Sequence, residues 1–384
     1  MTAIDSGLFG VLLALLDLHL VSVLLAYIKQ NTPPKSVITD QPMVSVLRPI
    51  CGLENNLAET LTTTFAADYP NYEIIFCVTN PRDPVITLAN KLIAAHPHVR
   101  ARLLIGDDRI SGNPKLNNLA KGWRAAQADW IVMADSNVLL PPDYIQRLLA
   151  EWRHDTGLVT SPPAGVRPEG FAAQLECGFL NALQARFQLA SAAVGHGFAQ
   201  GKILFWRRSV LEDAGGIAML GQEMAEDVAA TKLVRAQGLK VRLTQRLFAQ
   251  PIGQRSFAAV WQRQLRWAKV RRLGFLPLFL PEIFIGGAVP LLLGLLLVIN
   301  GAIPLAQVIL IGFLWYAAEF LLAYASGWPR RGRDVLAWLC RDALLPGLWI
   351  AAWFGNGFEW RGTAMTATDA TEMPLIGEPR FADT

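Results

Sequence analysis

Trp130-Ile-Val-Met-Ala-Asp135-Ser-Asn137 is the stretch whose reading decides the fold. Five apolar residues closed by an acid and two turn-forming residues describe a short buried strand with a carboxylate at its carboxyl end. Reading outward toward the N-terminus, the run Met43-Val-Ser-Val-Leu47, ended by Arg48-Pro49, has the same character. Strands are also expected over residues 73–78 and 101–105. Helical spacing falls between them: residues 56–67, capped by Asn55 or Asn56; a helix opened by Pro84 and running to Ala95; residues 116–126; and a helix from Pro142 through Trp152. Strands alternating with helices of this length imply βαβ units and a mostly parallel α/β sheet. Ligands of such sheets sit beyond the carboxyl ends of the strands. Here those positions are residues 48–54, 79–83 and 135–137. Asp83 and Asp135 each follow a hydrophobic strand, although Asp83 before Pro84 also reads as an ordinary helix cap.

The chain has 384 residues, 52% hydrophobic and 17% charged. That charge is low against the roughly 25% of soluble domains. The apolar excess lies at the two ends and divides the chain into an anchor at 1–30, a globular domain at 43–272, an apolar region at 273–362 and a polar tail at 363–384. Residues 8–28 are long enough to cross a bilayer, interrupted by Asp17 and His19, for which a packing role is at least as good a reading as a functional one. Lys29 and Lys35 follow, so the positive-inside rule places the globular domain in the cytoplasm. Residues 284–303 and 306–326 read as a hairpin of two spans, returned to the same side by Arg330, Arg331 and Arg333. Residues 273–284, broken by Pro277 and Pro281, read as interfacial. Residues 335–354 carry Arg341 and Asp342 at their middle and either span, re-enter or lie in the interface.

A net charge of +4 gives no reason to expect nucleic acid. Its distribution is more telling: Arg255, Arg263, Arg266, Lys269, Arg271 and Arg272 lie within eighteen residues that hold no acid, which suits anionic phosphates or an anionic membrane surface. The four cysteines have neither zinc-site spacing nor histidines nearby, and read as reduced, buried residues.

Three stretches can carry chemistry. Asp135, with Asn137 two positions on, can hold Mg²⁺ or Mn²⁺, which favour one or two carboxylates plus phosphate oxygens. Glu226-Asp227, after the Ala214-Gly215-Gly216 turn, offers a general base at a helix start, where a carboxylate is otherwise a cap. In Gln262-Arg263-Gln264-Leu265-Arg266-Trp267, Gln262, Arg266 and Lys269 share one helix face. Arg266 has the planar fork that binds oxyanions, and Trp267 can stack on a sugar or shape an entrance.

Taken in order, these motifs resemble those of inverting glycosyltransferases of the A fold, and most closely the ceramide glucosyltransferases. Supporting stretches are Arg48-Pro-Ile-Cys-Gly-Leu-Glu54, Asn113-Pro-Lys-Leu-Asn-Asn118, Arg207-Arg208-Ser-Val-Leu-Glu-Asp-Ala-Gly-Gly216 and Glu359-Trp360-Arg361-Gly362. The resemblance covers nearly the whole chain. It implies a UDP-sugar donor held by Glu54, Asp83, Lys115 and Asp135, with the metal at Asp135. It implies Asp227 as base, and Gln262, Arg263, Arg266 and Trp267 at the diphosphate and acceptor end. It implies a lipid acceptor, ceramide first, with diacylglycerol or a hopanoid polyol as the alternative, at the bacterial cytoplasmic membrane. Thr79-Asn80-Pro81-Arg82 before Asp83 is less acidic than in animal members, which leaves the sugar open. A processive polysaccharide synthase shares the Gln-x-x-Arg-Trp pattern but needs a channel of more helices. A non-catalytic transporter subunit has no use for the four ordered motifs. Oligomeric state has no signature in the sequence.

Overall fold

Alternating apolar and turn-forming segments build the first half of the domain as expected. In the computed structural model, which describes residues 2–38, 40–355, 357–360 and 363–366, the chain opens with α1 (Ala3–Asn31). It continues through β1 (Val44–Pro49), α2 (Leu57–Thr62), β2 (Tyr72–Val78), α3 (Val85–Ala95), β3 (Arg100–Ile105), α4 (Pro114–Ala125), β4 (Trp130–Ala134) and α5 (Tyr144–Ala150). Strand β4 has the bounds read from sequence. Helix α2 is shorter than expected: Asn56 sits in the left-handed region with no side-chain cap, and the β-branched Thr62-Thr63-Thr64 run tightens into a 3₁₀ turn. Helix α5 likewise falls short of the expected 142–152.

The second half follows as β5 (Thr156–Thr160), β6 (Pro163–Glu169), α6 (Phe171–Gly178), a π-helical turn (Phe179–Ala185), α7 (Arg186–Ala193), β7 (Ile203–Arg207), α8 (Arg208–Glu212), α9 (Glu226–Ala236), β8 (Lys240–Leu243), β9 (Phe248–Gln254) and α10 (Phe257–Gly274). The main sheet runs β3-β2-β1-β4-β7-β5-β8, parallel except at β7, which is antiparallel to both neighbours. Strands β6 and β9 pair separately, in parallel. Helix α4 lies close on the sheet at Gly122, where a Cβ would come within 2.6 Å of Cys77 Sγ. Apolar clusters fill both faces, one around Leu47, Ile131 and Trp206, the other around Val46, Val132 and Phe205.

The C-terminal part contains α11 (Leu276–Phe279), α12 (Ala288–Ile299), α13 (Leu305–Ser326) and α14 (Gly332–Ala351), then β10 (Gly357–Trp360) and β11 (Thr363–Thr366). Among the described residues, two helices, α1 and α13, are long and apolar enough to cross a membrane. The span expected at 284–303 is different in form. Helix α12 is too short for the ~30 Å of a hydrocarbon core and qualifies only together with 276–284, from which it bends by 45°. The break falls at Gly286-Gly287, where Gly287 N donates to Asp342 Oδ2 at 2.8 Å. Asp342 and its neighbour Arg341 are buried in α14: Arg341 bonds Glu319 of α13 at 2.9 and 3.0 Å and the Gly178 carbonyl at 3.2 Å. His19 is buried, stacks on Trp315 at 3.7 Å and accepts from Arg186 at 2.6 Å, while Asp17 is exposed. Residues 363–366, assigned to the tail from sequence, pair with 357–360. Arg361, Gly362 and the tail from residue 367 lie outside the described residues.

Candidate active site

The carboxyl ends of β4 and β1 and the start of α9 converge on one polar cluster. Asp135 follows β4, and its backbone N donates to the Lys202 carbonyl at 2.9 Å, which ties it to the turn entering β7. Its two carboxylate oxygens go to two lysines, Lys115 Nζ at 2.6 Å and Lys202 Nζ at 2.8 Å. Lys202 Nζ also donates to Asn137 Oδ1 at 3.0 Å.

Lys115 is placed by the start of α4. Asn113 caps that helix by accepting from Lys115 N at 3.0 Å, and Pro114 supplies the preset first-turn backbone. The Lys115 ammonium donates to Asp135, to Glu226 Oε1 at 2.6 Å and to the Gly201 carbonyl at 2.6 Å, using all three of its N–H groups. Asn113 Nδ2 takes the other Glu226 oxygen at 2.9 Å. Asp227, beside it at the start of α9, accepts from Gly201 N and from Val228 N, both at 2.9 Å. Gly201 must be glycine, since a Cβ there would meet Glu226 Oε1 at 2.6 Å.

These contacts divide the acids electrostatically. Burial would raise the Asp135 pKa, but Lys115 and Lys202 override it and hold the carboxyl well below the usual range. Burial would lower the Lys115 pKa, and Asp135 and Glu226 instead hold its ammonium above the ordinary value. Among the described residues no cation is bonded to Asp227. Burial, and then the Glu226 charge, push it up to about 6.

Behind the cluster, the fully buried Arg48 guanidinium donates to the carbonyls of Thr60 and Ser136, each at 3.2 Å, and of Val138 at 3.4 Å. It thereby fixes the backbone that presents Asp135 and Asn137. Asp83 is both the helix cap and a cross-link: it accepts from Val85 N at 2.9 Å and from Gly52 N at 2.9 and 3.0 Å. Glu54 is exposed on the same loop as Gly52.

On α10, Arg263 pairs with the buried Glu176, and its charge is felt at Lys202. Gln262 is exposed and Arg266 half-buried. Trp267 packs against Ala173, Cys177, Leu180 and Ile252, so its ring is part of a wall. The structure therefore brings Lys115, Asp135 and Asp227 to one place, with Arg263 near enough for its charge to reach Lys202. Asp83 and Glu54 stand to the side, on the β1 and β2 loops.

Among the described residues no three of His, Cys, Asp and Glu cluster as a metal site. Asp135 and Asn137 nevertheless aim two hard oxygens at one cation, the Lys202 ammonium. That is the donor set a Mg²⁺ or Mn²⁺ ion completes with phosphate oxygens and water, so the residues fit such an ion. Sequence reasoning passed over Lys202 and Gly201, which no periodicity marks, and took Asn113 only as part of the stretch 113–118. The one available signal was Gln200-Gly-Lys202 directly before an apolar run.

The profile of Glycosyl transferase family 21 matches residues 6–373. Ceramide glucosyltransferase 1 of Caenorhabditis elegans is 28% identical over 232 residues, covering 60% of this chain and 50% of that protein. Ceramide glucosyltransferase 3 of the same organism is 26% identical over 329 residues, 83% of this chain and 72% of that protein. The chain thus spans about half the length of the first relative and under three quarters of the second. A mannosyltransferase from Pyrobaculum calidifontis, solved with GDP-Man and Mn²⁺, superposes with a TM-score of 0.54 at 16% identity over 88% of this chain and 99% of that one. At that identity the likeness bears on the fold alone, and it agrees with the A-type α/β architecture.

Proposed function

The chain belongs to glycosyl transferase family 21, and on that premise we propose that it transfers glucose from UDP-glucose to the primary hydroxyl of ceramide, giving the β-glucoside. The observation that carries this reading is the placement of Asp227, to which no cation among the described residues is bonded, beside Glu226, whose partner Lys115 also holds Asp135.

In this reading Asp227 accepts the proton of the acceptor hydroxyl while that oxygen attacks the anomeric carbon. The new C–O bond forms as the bond to the β-phosphate oxygen breaks, and UDP leaves with the electron pair. Direct displacement at an α-linked donor gives the opposite, β, configuration. Lys115 and Lys202 place positive charge where the diphosphate develops negative charge. Asp135 and Asn137 would hold Mg²⁺ or Mn²⁺, which would supply Lewis-acid stabilisation of the leaving group. Arg263 and Arg266 serve the diphosphate, Gln262 and Trp267 the acceptor end, and Asp83, Glu54 and Lys115 the donor side. Lys29 in the last turn of α1 with Lys35 just beyond it, and Arg330, Arg331 and Arg333 around the start of α14, favour a cytoplasmic catalytic domain on a bacterial inner membrane.

The test is an assay of the full chain in lipid nanodiscs, with a panel of UDP-hexoses against ceramide, diacylglycerol and a hopanoid polyol. A β-linked glucosylceramide is expected. Transfer to diacylglycerol or the hopanoid alone would replace the acceptor, and an α-linked product would overturn the single-displacement scheme.

A further inference from the structure

Lys115 and Lys202 both touch Asp135, but they are held differently. Lys115 has spent all three N–H groups on acceptors of the protein: Asp135, Glu226 and the Gly201 carbonyl. Lys202 bonds Asp135 Oδ2 and Asn137 Oδ1, the same two oxygens that point toward a metal seat. Its backbone is fixed, since its carbonyl accepts from Asp135 N at 2.9 Å and its own N–H donates to Gln200 Oε1 at 3.0 Å. Only the side chain is free to swing.

Mg²⁺ and Mn²⁺ bind oxygen at about 2.0–2.2 Å. An ion on these two oxygens and an ammonium on the same two would be like charges about 4 Å apart or closer, which is strongly unfavourable at a half-buried site. The ion therefore enters only if Lys202 leaves. Asp135 and Glu226 are already engaged by Lys115, and the two oxygens of Asp227 by the N–H groups of Gly201 and Val228, so the fresh anion for a displaced ammonium is the one the donor carries, its diphosphate.

We propose that Lys202 is the resident counter-cation of the donor site: it holds the seat between Asp135 and Asn137 until a nucleoside diphosphate arrives to receive its ammonium, so that divalent ion and donor load together. The inference rests on the proposed donor chemistry and concerns binding alone, with no dependence on the lipid acceptor.

The experiment measures Mn²⁺ binding by the electron paramagnetic resonance signal of free Mn²⁺, using the full chain in nanodiscs, with and without UDP and without any acceptor. Wild type should bind Mn²⁺ weakly alone and about ten-fold or more tightly with UDP. Lys202→Met should bind Mn²⁺ without UDP about ten-fold more tightly than wild type, with the UDP enhancement reduced, and Lys202→Arg should behave as wild type. Lys202→Gln is a second neutral variant, so misfolding of one does not decide the outcome. Adding Asp135→Asn to Lys202→Met should abolish the gain. The proposal is overturned if neither neutral variant binds Mn²⁺ more tightly without UDP, or if the gain survives Asp135→Asn. If wild type with UDP binds no Mn²⁺ at all, the metal assignment falls, and the gate falls with it. Glucosylation of a different lipid leaves every one of these readouts unchanged.

Discussion

Lys115 Nζ and Glu226 Oε1 lie 2.6 Å apart, and the same ammonium reaches Asp135, so two acids from distant parts of the chain share one cation. This separates the adjacent Glu226 and Asp227. Glu226 is occupied at both oxygens by Lys115 and Asn113. Asp227 is held only by backbone N–H groups and keeps acceptor capacity for a proton.

Asp227→Asn should therefore cost about 10²–10⁴-fold in kcat with donor affinity nearly unchanged. Glu226→Gln should act mainly through donor binding, because it loosens Lys115. Steady-state kinetics with isothermal titration of UDP checks both. A dead Glu226→Gln beside an active Asp227→Asn would move the base by one residue.

The pH profile follows from the same carboxylate. A base works only when ionised, and burial together with Glu226 raises Asp227 to about 6. Below that pH, kcat/KM should fall about ten-fold per unit, with a plateau above it. The residual activity of Asp227→Asn should lack this acid limb.

Asp135→Ala removes the oxygen that Lys202 shares with the metal seat and the one that Lys115 holds. Transfer should be abolished, and UDP-sugar binding in the presence of Mn²⁺ should weaken. Full activity in chelator, or in this variant, would remove the ion from the mechanism.

Arg341 is the shared cation of two buried acids, Glu319 and Asp342, so Arg341→Met leaves both without it and should lower stability by about 3–5 kcal/mol. Adding Glu319→Leu should recover only part of this, because Asp342 still lacks its cation. Thermal unfolding of the detergent-solubilised protein reads the difference.

Gly332, exposed at the start of α14 with nothing near its would-be Cβ, suits labelling from solution. In a Cys51→Ser background, Gly332→Cys should react with an impermeant maleimide only after the inner membrane is opened. Reaction from the periplasmic face of intact spheroplasts would reverse the topology.

The parts of the fold that were legible in advance are those whose signal is local. Trp130–Ala134 ends at Asp135 as read from sequence, and α4, expected over 116–126, opens slightly earlier at Pro114, where Asn113 caps it. Antiparallel β7 was not legible, because its direction is set by pairing with β4 and β5 from far along the chain. The site shows the same division. Asp135 and Asp227 stand at element ends, where a pattern can find them. Lys202 acquires its role only when the turn before β7 is laid against Asn137. The bend at Gly286-Gly287 is also non-local, since it depends on Asp342 receiving the Gly287 N–H.

Arg186, in the globular part of the chain, is fully buried, and two of its hydrogen bonds reach back to His19 and Ser22 of α1, at 2.6 and 2.9 Å. A fragment of residues 43–272 alone would keep that guanidinium and lose those partners, and Gly178 would in turn lose Arg341. The seam between what lies in lipid and what lies in water is thus not a fault line along which the molecule can be split. In the proposed function, an enzyme riveted to its own anchor would work at a constant height above the bilayer, and its acceptor would have to present a hydroxyl at that height.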